Sequence, residues 1–418
     1  MDRLIIEGGQ PLRGRVVISG AKNAVLPMMA AALLTSEDVV IEDVPDIDDV
    51  DVLMDVLRAL GAEVDRETPH RLRIRARAIT SFIAPTDLVR KLRGSFLIMG
   101  PLLGRFGRAG SAAPGGDVIG QRPIDVHLVG FRAMGARIAL EEDIYLAFAP
   151  RLSGAKIFMD YPSHIGTENL LMAAVLAEGR TIIRNASQEP EVVDLANLLT
   201  KMGARIQGAG SSTIVVDGVD ELGGAVHRVI PDRIEAGTFA LACAIAGGNV
   251  ELSNIIPDHL DALIWKLHEA GVTVEVSEGS LRVERTRDLS ATNVQALPYP
   301  GFPTDLQSTI GVMLTQAHGR SVIHERVYDR RLVYFSELAL MGPQVLVRGQ
   351  TAVVDGPMKL HGAGVRALDI RAGAALTLAG LAAEGRTEIL DAHHVSRGYD
   401  RFDDKLRALG ASIWRELR

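Results

Sequence analysis

Ala59-Leu60-Gly61-Ala62-Glu63-Val64 is the stretch that decides the fold, because similar segments recur along the whole chain. The recurring glycines are Gly61, Gly135, Gly203, Gly271, Gly342 and Gly410, spaced 68 to 74 residues apart. So steady a period indicates six repeats of one structural unit. Each glycine follows an amphipathic stretch such as Val52-Leu53-Val56-Leu57-Leu60 and precedes a short apolar run. The pattern predicts a helix, a glycine C-cap and then a strand.

A second set of glycines alternates with the first and follows stretches that are nearly free of charge. Leu170–Leu176, which precedes Gly179, is the clearest of them. A helix that is apolar on every side has to be buried on every side. Each repeat of about 70 residues is therefore predicted to hold one buried helix, one half-exposed helix and several strands.

The number of repeats and the chain length predict two lobes. The chain has 418 residues, which exceeds one ordinary hydrophobic core. Three repeats per lobe place residues 22–229 in one lobe and residues 1–21 with 230–418 in the other. The segment Arg3–Ser19 precedes the first helix, and we expect it to complete the second lobe beside the last repeat. The fold class is then α/β, and a cleft between lobes is a preferred place for ligands.

Composition excludes several classes of function. Acidic residues number 52 against 45 basic ones, so no basic surplus indicates a nucleic-acid partner. A single cysteine, Cys243, excludes an intrachain disulfide framework and a cysteine-based zinc site, and the histidines show no metal-ligand spacing. The apolar run 24–34 is about half a membrane span. We therefore expect a cytoplasmic protein without membrane insertion.

Charged and polar residues stand at the starts of predicted helices. Lys22 and Asn23 begin the first buried helix, where free N–H groups attract anions. Arg93, Arg371 and Arg397 lie at or near the starts of other predicted helices. A guanidinium there can join helix N–H groups in holding a phosphate or carboxylate. The sequence therefore predicts an anionic ligand.

Two further features bear on chemistry. Asp305 lies at the head of the fifth buried helix, where it is either an N-cap or a general base. The stretch Gly104–Gly120 contains six glycines, and Asp117 lies near its centre. Such a stretch is predicted to be a mobile flap rather than a core element, and we expect it to become ordered over a ligand.

Several motifs together resemble one family. They are Gly20-Ala21-Lys22-Asn23-Ala24, Pro114-Gly115-Gly116, the run from Ile119 to His127, Glu189-Pro190-Glu191, the run from Pro231 to Thr238, the run from Phe302 to Gln307, and Arg397-Gly398-Tyr399. On these motifs the chain resembles the UDP-N-acetylglucosamine enolpyruvyl transferases over its full length. The resemblance implies a two-lobed inside-out α/β barrel with three repeats per lobe.

The resemblance also implies a reaction, the first committed step of peptidoglycan synthesis. The 3-hydroxyl of UDP-N-acetylglucosamine adds to C2 of phosphoenolpyruvate while C3 gains a proton, and phosphate then leaves. No cofactor and no metal is implied. The residues implied in catalysis are Lys22, Asp117, Asp305 and Arg397, with Asp305 as the acceptor of the hydroxyl proton.

Binding positions are implied in the same way. Positions that match phosphoenolpyruvate ligands are Lys22, Asn23, Arg122, Arg331, Arg371 and Arg397. Positions that match ligands of the sugar nucleotide are Asn23, Arg93, Arg122, Pro123, Ile124, Asp125, Val126, Ser163, Asp305 and Val327.

The chain departs from the usual family pattern at three places. Asp117 stands where most members have cysteine, and fosfomycin disables those members by alkylating that cysteine. A carboxylate is a far poorer nucleophile than a thiolate, so insensitivity to fosfomycin is expected. Ser163-His164-Ile165-Gly166-Thr167-Glu168-Asn169 and Asp329-Arg330-Arg331-Leu332 also differ from the usual segments.

Of three other functions, the sequence argues against the first and leaves the other two open. The related enzyme that acts on shikimate 3-phosphate carries Gly-Ser-Lys-Ser where this chain has Gly20-Ala21-Lys22-Asn23. An enolpyruvyl transferase for another uridine nucleotide would keep the phosphoenolpyruvate site and change the sugar site. A non-catalytic relative that senses nucleotide sugars has no need of both an acid and a base, and the chain has Asp117 and Asp305.

Overall fold

The six recurring glycines all adopt the backbone conformation that the sequence predicts. Their φ angles lie between 87° and 117°, a region that side chains other than glycine rarely adopt. Gly61 is the C-cap of the helix Asp48–Leu60, and its N–H donates to the carbonyl of Arg58. A strand begins two residues later at Glu63. The predicted order of helix, glycine and strand is confirmed.

The computed structural model describes residues 2–115, 119–120 and 124–417. The α-helices are α1 (Lys22–Ala31), α2 (Asp48–Leu60), α3 (Thr86–Val89), α4 (Met99–Phe106), α5 (Asp125–Ala133), α6 (His164–Ala174), α7 (Pro190–Lys201), α8 (Arg233–Ala246), α9 (Asp261–Glu269), α10 (Gln307–Thr315), α11 (Tyr334–Leu338), α12 (Ile370–Ala382), α13 (His393–Ser396) and α14 (Phe402–Ala408). Short 3-10 turns cover Ala32–Leu34, Arg93–Ile98, Pro257–Leu260, Thr304–Leu306, Arg331–Val333 and Ala339–Met341.

The strands are β1 (Asp2–Glu7), β2 (Leu12–Val17), β3 (Val39–Glu42), β4 (Glu63–Thr68), β5 (Arg71–Arg75), β6 (Arg108–Ala112), β7 (Arg137–Glu141), β8 (Ile144–Phe148), β9 (Lys156–Phe158), β10 (Arg180–Arg184), β11 (Arg205–Gln207), β12 (Thr213–Asp217), β13 (Ala225–Arg228), β14 (Gly248–Ser253), β15 (Thr273–Ser277), β16 (Ser280–Arg285), β17 (Val294–Ala296), β18 (Gly319–Glu325), β19 (Leu346–Arg348), β20 (Thr351–Gly356), β21 (Gly364–Arg366), β22 (Arg386–Leu390) and β23 (Ser412–Leu417).

The described residues fold into two units. We call residues 20–115 and 124–230 the middle unit, and residues 2–19, 119–120 and 231–417 the terminal unit. The terminal unit is discontinuous in sequence because it takes both ends of the chain.

The middle unit places three helices inside and three sheets around them. Helix α6 packs against both α1 and α4, and most residues of the three helices are buried. The sheets have the strand orders β13-β3-β5-β4, β6-β8-β7 and β11-β12-β10-β9. The more amphipathic helices α2, α5 and α7 carry the exposed charges, as the hydrophobic pattern predicts.

The terminal unit repeats this plan. Helices α8, α10 and α12 pack together at its centre, and Leu376 of α12 is fully buried. The sheets have the orders β15-β16-β14-β2, β17-β18-β20-β19 and β21-β22-β1-β23. Strand β1 lies antiparallel between β22 and β23, so that Ile5 faces both Glu388 and Trp414. Strand β1 thus completes the sheet of the last repeat, as expected, whereas β2 of the same segment pairs with β14 in the sheet of the fourth repeat.

The flap predicted for Gly104–Gly120 is wrong over residues 104–112. Gly104 belongs to α4, and Ser111 is fully buried in β6. The glycines there permit close packing: a Cβ on Gly110 would lie 2.8 Å from Cγ1 of Ile83, and a Cβ on Gly107 would lie 2.3 Å from the carbonyl oxygen of Ala149. Within the predicted flap, residues 113–115 are described outside helix and strand, and residues 116–118 lie outside the described residues.

Within the described part of the chain, none of the helices is both long and apolar enough to cross a membrane.

Candidate active site

Lys22 is held at the first residue of α1 by a carboxylate from the neighbouring helix. Its Nζ lies 2.7 Å from Oδ2 of Asp49, which is in the first turn of α2. The two side chains are only 10% and 2% exposed. Separating the charges of a buried ion pair is costly. The pair with Asp49 is therefore expected to restrict the Lys22 side chain more than solvent would. Asn23 follows Lys22 on the helix and is partly exposed.

Asp305 lies between two buried arginines in the terminal unit. Oδ1 accepts a hydrogen bond from Arg331 at 2.9 Å, and Oδ2 accepts one from Arg371 at 2.8 Å. The Asp305 side chain is 23% exposed, whereas both arginine side chains are nearly inaccessible. Burial opposes the charged form of Arg331, but Asp305 and Asp369 outweigh it and raise the pKa of the guanidinium. Both arginines therefore stay charged.

The sequence left open whether Asp305 is only a helix cap, and the structure shows no such cap. The 3-10 turn Thr304–Leu306 and α10 have no side-chain capping hydrogen bond at their N-termini. Asp305 is instead the acceptor of an ion-pair cluster. Arg331, which departs from the usual family segment, belongs to this cluster together with Arg371.

Arg371 is fixed from a second side by Tyr399. Its guanidinium lies 5.2 Å from the centroid of the Tyr399 ring, and the Tyr399 hydroxyl lies 3.0 Å from Oγ1 of Thr238. Asp369 caps α12 by accepting from the backbone N–H of Arg371. Arg371 is thus at a helix start, as predicted.

Arg397 is not at a helix start, and that prediction is wrong. It is the C-cap of the short helix α13, and the next helix begins only at Phe402. Gly398 and Tyr399 interrupt the helical run, and Tyr399 turns into the core beside Phe402 at a ring-centroid distance of 4.8 Å. Arg397 is partly exposed and lies two residues before the tyrosine that contacts Arg371.

Arg93 begins a 3-10 turn over a buried polar network in the middle unit. His127 is almost fully buried; its Nδ1 accepts from Nδ2 of Asn169 at 3.0 Å. Asn169 also donates to the Phe96 carbonyl. Burial, and then the charge of Arg93, lower the pKa of His127 to about 3. His127 is therefore neutral, so it is an acceptor for Asn169 and not a cation for a ligand.

Several candidate ligands of the sugar nucleotide lie together at the starts of α5 and α6. Ile124 is the N-cap of α5 and is buried, whereas Asp125 is exposed and Val126 is partly exposed. Ser163 caps α6, with its Oγ accepting from the N–H of Gly166 at 3.1 Å. A Cβ on Gly166 would lie 3.1 Å from Cγ1 of Val126, so Val126 lies against the first turn of α6.

His164, one of the departures from the usual family segment, introduces a cation at the head of α6. Its Nε2 lies 3.0 Å from Oε1 of Glu168, one turn along the helix. Burial lowers the pKa of His164, but Glu168, Glu189 and Glu191 outweigh it and raise the value to about 10. The residue is therefore charged at neutral pH. Its charge compensates three carboxylates, two of which, Glu168 and Glu191, are buried.

Val327 lies in the turn after β18. Its backbone N–H donates to Oε1 of Glu325 at 2.7 Å, and its side chain is partly exposed. The predicted residues Asp117, Arg122 and Pro123 lie outside the described residues, so their roles stay predictions.

Three partners of these residues were not among the sequence candidates. Asp49 holds Lys22, Glu325 holds Val327, and Tyr399 contacts Arg371. Asp49 and Glu325 are hidden in sequence because each is one of 52 acidic residues in ordinary helical or strand positions. Among the described residues, no group of three or more histidine, cysteine or carboxylate side chains could hold a metal ion.

The described clusters can bind an anion and accept a proton. Lys22, Arg331, Arg371 and Arg397 supply positive charge, and Asp305 supplies a carboxylate that two guanidiniums orient. Preorganised charges of this kind stabilise a transition state without reorganising during the reaction.

Comparisons with known proteins point to the same chemistry. The family model of EPSP synthase (3-phosphoshikimate 1-carboxyvinyltransferase) matches residues 6–406. The chain is 50% identical to UDP-N-acetylglucosamine 1-carboxyvinyltransferase 1 of Caldanaerobacter subterraneus subsp. tengcongensis, over 99% of both chains. It is 47% identical to UDP-N-acetylglucosamine 1-carboxyvinyltransferase of Myxococcus xanthus, over 100% of both. Among solved structures, the enolpyruvyl transferase NikO from Streptomyces tendae matches with a TM-score of 0.90 and 28% identity, over 99% of this chain and 98% of NikO.

Proposed function

This chain belongs to the EPSP synthase family of enolpyruvyl transferases, and we propose that its acceptor substrate is UDP-N-acetylglucosamine. The reaction transfers the enolpyruvyl group of phosphoenolpyruvate to the 3-hydroxyl of the sugar and releases phosphate. The observation that carries the proposal is the 50% identity, over 99% of both chains, to a relative named for this reaction. The reaction is the first committed step of peptidoglycan synthesis, and we keep a cytoplasmic location as part of the proposal.

The addition step uses the anion-binding and carboxylate clusters. The sugar oxygen forms a bond to C2 of phosphoenolpyruvate, its proton passes to Asp305, and C3 gains a proton from Asp117. Lys22, Arg122, Arg371 and Arg397 bind the phosphate and carboxylate of phosphoenolpyruvate, with Arg331 beside them. Asn23 contacts both reactants. The paired arginines support this assignment, since a highly charged small substrate needs several fixed cations.

The elimination step restores the double bond. C3 returns a proton to the Asp117 carboxylate, the bond from C2 to the phosphate oxygen breaks, and phosphate leaves with the proton that Asp305 had accepted. The sugar nucleotide is held by Arg93, Ser163, Val327 and the backbone from Arg122 to Val126. The contact of Val126 with the first turn of α6 supports the grouping of those residues. We also keep the predicted domains, 22–229 and 1–21 with 230–418, as a proposal.

Phosphate release from phosphoenolpyruvate tests the acceptor. We expect release with UDP-N-acetylglucosamine and none with shikimate 3-phosphate or UMP. Release with UMP but not with UDP-N-acetylglucosamine would instead indicate an enzyme for another uridine nucleotide. His164 at the start of α6 would then be a candidate for the change in acceptor. Tight binding of the sugar nucleotide without any release would indicate a sensor.

Asp117 in place of cysteine predicts the response to fosfomycin. The unmodified protein should keep its activity during incubation with the drug, because a carboxylate is a poor nucleophile for the epoxide. Cys243, the sole thiol, is buried in α8, and burial raises its pKa to about 12. Asp117→Cys should restore time-dependent inactivation. Rapid inactivation of the unmodified protein, with an adduct mapped by mass spectrometry, would contradict the prediction.

A further inference from the structure

A buried carboxylate at the end of β18 connects two segments that carry proposed site residues. Glu325 is fully buried. Its Oε1 accepts from the backbone N–H groups of Val327 and Tyr328, at 2.7 and 3.2 Å. Its Oε2 accepts from Oγ1 of Thr304 at 2.9 Å. One side chain therefore fixes both the turn after β18 and the 3-10 turn that contains Asp305.

These hydrogen bonds compensate an expensive burial. Burial raises the pKa of Glu325, and the hydrogen bonds from Val327 and Thr304 oppose that rise. The Glu325 side chain is not needed to hold the end of β18, because the backbone N–H of Glu325 already donates to the carbonyl of Gln350. Among the described residues, the hydrogen bonds of the Glu325 side chain go to Thr304, Val327 and Tyr328, which lie in these two turns. Holding these turns is therefore the role that the hydrogen bonds support.

Asp305 is reached from Glu325 by two routes. Thr304 is its neighbour in the chain, and Thr304 donates to Glu325. The second route passes through Arg331, which donates to Asp305. The backbone N–H of Arg331 donates to the carbonyl of Tyr328, and the backbone N–H of Tyr328 donates to Glu325. A displacement of either turn would therefore move the carboxylate of Asp305.

We infer that Glu325 is a positioning residue of the transfer reaction: it sets Asp305 and the Val327 backbone against the sugar without touching substrate itself. The inference rests on the proposed function. Displacement of a reacting group by about 1 Å can cost roughly 10²-fold in rate, which sets the scale of the effect. Because phosphoenolpyruvate binds mainly through cations elsewhere in the proposal, the loss should fall on kcat.

Glu325→Leu and Glu325→Gln separate hydrogen bonding from charge and size. Leucine fills similar space and accepts nothing, so kcat should fall about 10²-fold with KM for phosphoenolpyruvate changed less than about threefold. Glutamine can accept from Val327 and Tyr328 through its carbonyl while its amide donates to the Thr304 hydroxyl. It should therefore restore kcat to within about tenfold of the unmodified protein. His324→Gln is the matched control, because His324 precedes Glu325 on the strand, faces the opposite side and bonds to Thr351.

A double-mutant cycle distinguishes positioning from general loss of structure. In the Asp305→Ala background, Glu325→Leu should reduce kcat less than about threefold further, because the group that it positions is gone. A loss of kcat equal in both backgrounds, or a folded Glu325→Leu enzyme with unchanged kcat, would overturn the inference. If Glu325→Leu does not fold, Thr304→Val replaces it in the same cycle with the same criteria and an expected loss of about fivefold.

The unmodified enzyme is assayed first with UDP-N-acetylglucosamine. Absence of phosphate release there would count against the proposed function, whereas normal release combined with an indifferent Glu325→Leu variant would count against this inference alone.

Discussion

Two buried helices, α1 and α10, have charged residues of opposite sign at or just before their first residue. The two charged side chains have different partners. Lys22 at the start of α1 pairs with Asp49, whereas Asp305, just before α10, pairs with both Arg331 and Arg371. The two guanidiniums fix the Asp305 carboxylate through both of its oxygens. The proposed function assigns Lys22 to binding and Asp305 to proton transfer, and variants of the two residues test that division.

Removal of Asp305 should have the largest effect and tests the second half of this comparison. We expect Asp305→Ala to lower kcat by about 10²–10⁴, because the hydroxyl proton loses its acceptor. Asp305→Asn, which keeps the shape of the side chain, should be nearly as slow. Stopped-flow measurement of phosphate release would show this, and near-normal turnover in either variant would contradict the role as base.

Removal of Lys22 should affect binding as well as turnover. Lys22→Ala should raise KM for phosphoenolpyruvate and lower kcat, with kcat/KM reduced on the order of 10²-fold, because the charge holds the anion in ground and transition states alike. Lys91→Ala, at an exposed position, is the control. An unchanged KM for phosphoenolpyruvate together with a low kcat would argue that Lys22 acts only in the chemical step.

The first residue of a third helix, His164 of α6, extends the comparison to the free energy of unfolding. His164→Gln removes the cation beside Glu168, Glu189 and Glu191, and at pH 7 it should cost about 2 kcal/mol, less than a fully buried pair because His164 is 22% exposed. The histidine pKa is raised, so its stabilisation is complete below its ordinary pKa of about 6.5 and disappears as pH rises through about 10. Urea unfolding at pH 7 and pH 10 should therefore show a smaller difference between variant and parent at pH 10. Equal differences at both pH values would exclude a charged His164.

A substitution near the start of a fourth helix, α8, should give the smallest effect. It should change how steeply the free energy of unfolding varies with pH. Glu235 in α8 is buried beside Lys405, and burial, opposed by Lys405, raises its pKa to about 7. The folded state therefore binds the proton more tightly than the unfolded state, so stability should fall as pH rises from about 4.5 to about 7. Glu235→Gln should flatten that fall in denaturant titrations across this range. A parallel slope in the variant would show that Glu235 does not titrate there.

The repeats were predictable because local sequence carries them. The six glycines needed a positive φ, and hydrophobic period alone separated buried from half-exposed helices. The error at residues 104–112 arose because glycine serves two opposite purposes. Near Ile83 and Ala149 it allows close packing, and nothing in the local sequence distinguishes that use from a loop.

The residues of the candidate site could be proposed from the sequence, but the pairs that they form could not. The motifs identified Lys22 and Asp305, whereas Asp49 and Arg331 reach them only through the fold, 27 and 26 positions away along the chain. Glu325 could not be identified from the sequence for the same reason. Two of its hydrogen bonds come from backbone N–H groups, which every residue except proline has.

Strand β1 has a consequence for how the chain is made. It leaves the ribosome long before its two partners, β22 and β23, which lie beyond residue 385. The middle unit lies between these segments, so it can fold while the start of the terminal unit waits unpaired. Until β22 is made, Ile5 and its apolar neighbours have no strand to pair with, and an unpaired apolar strand is a hazard for aggregation. A nascent chain that stalls before β22 therefore contains the whole sequence of the middle unit and an N-terminal strand without its partners.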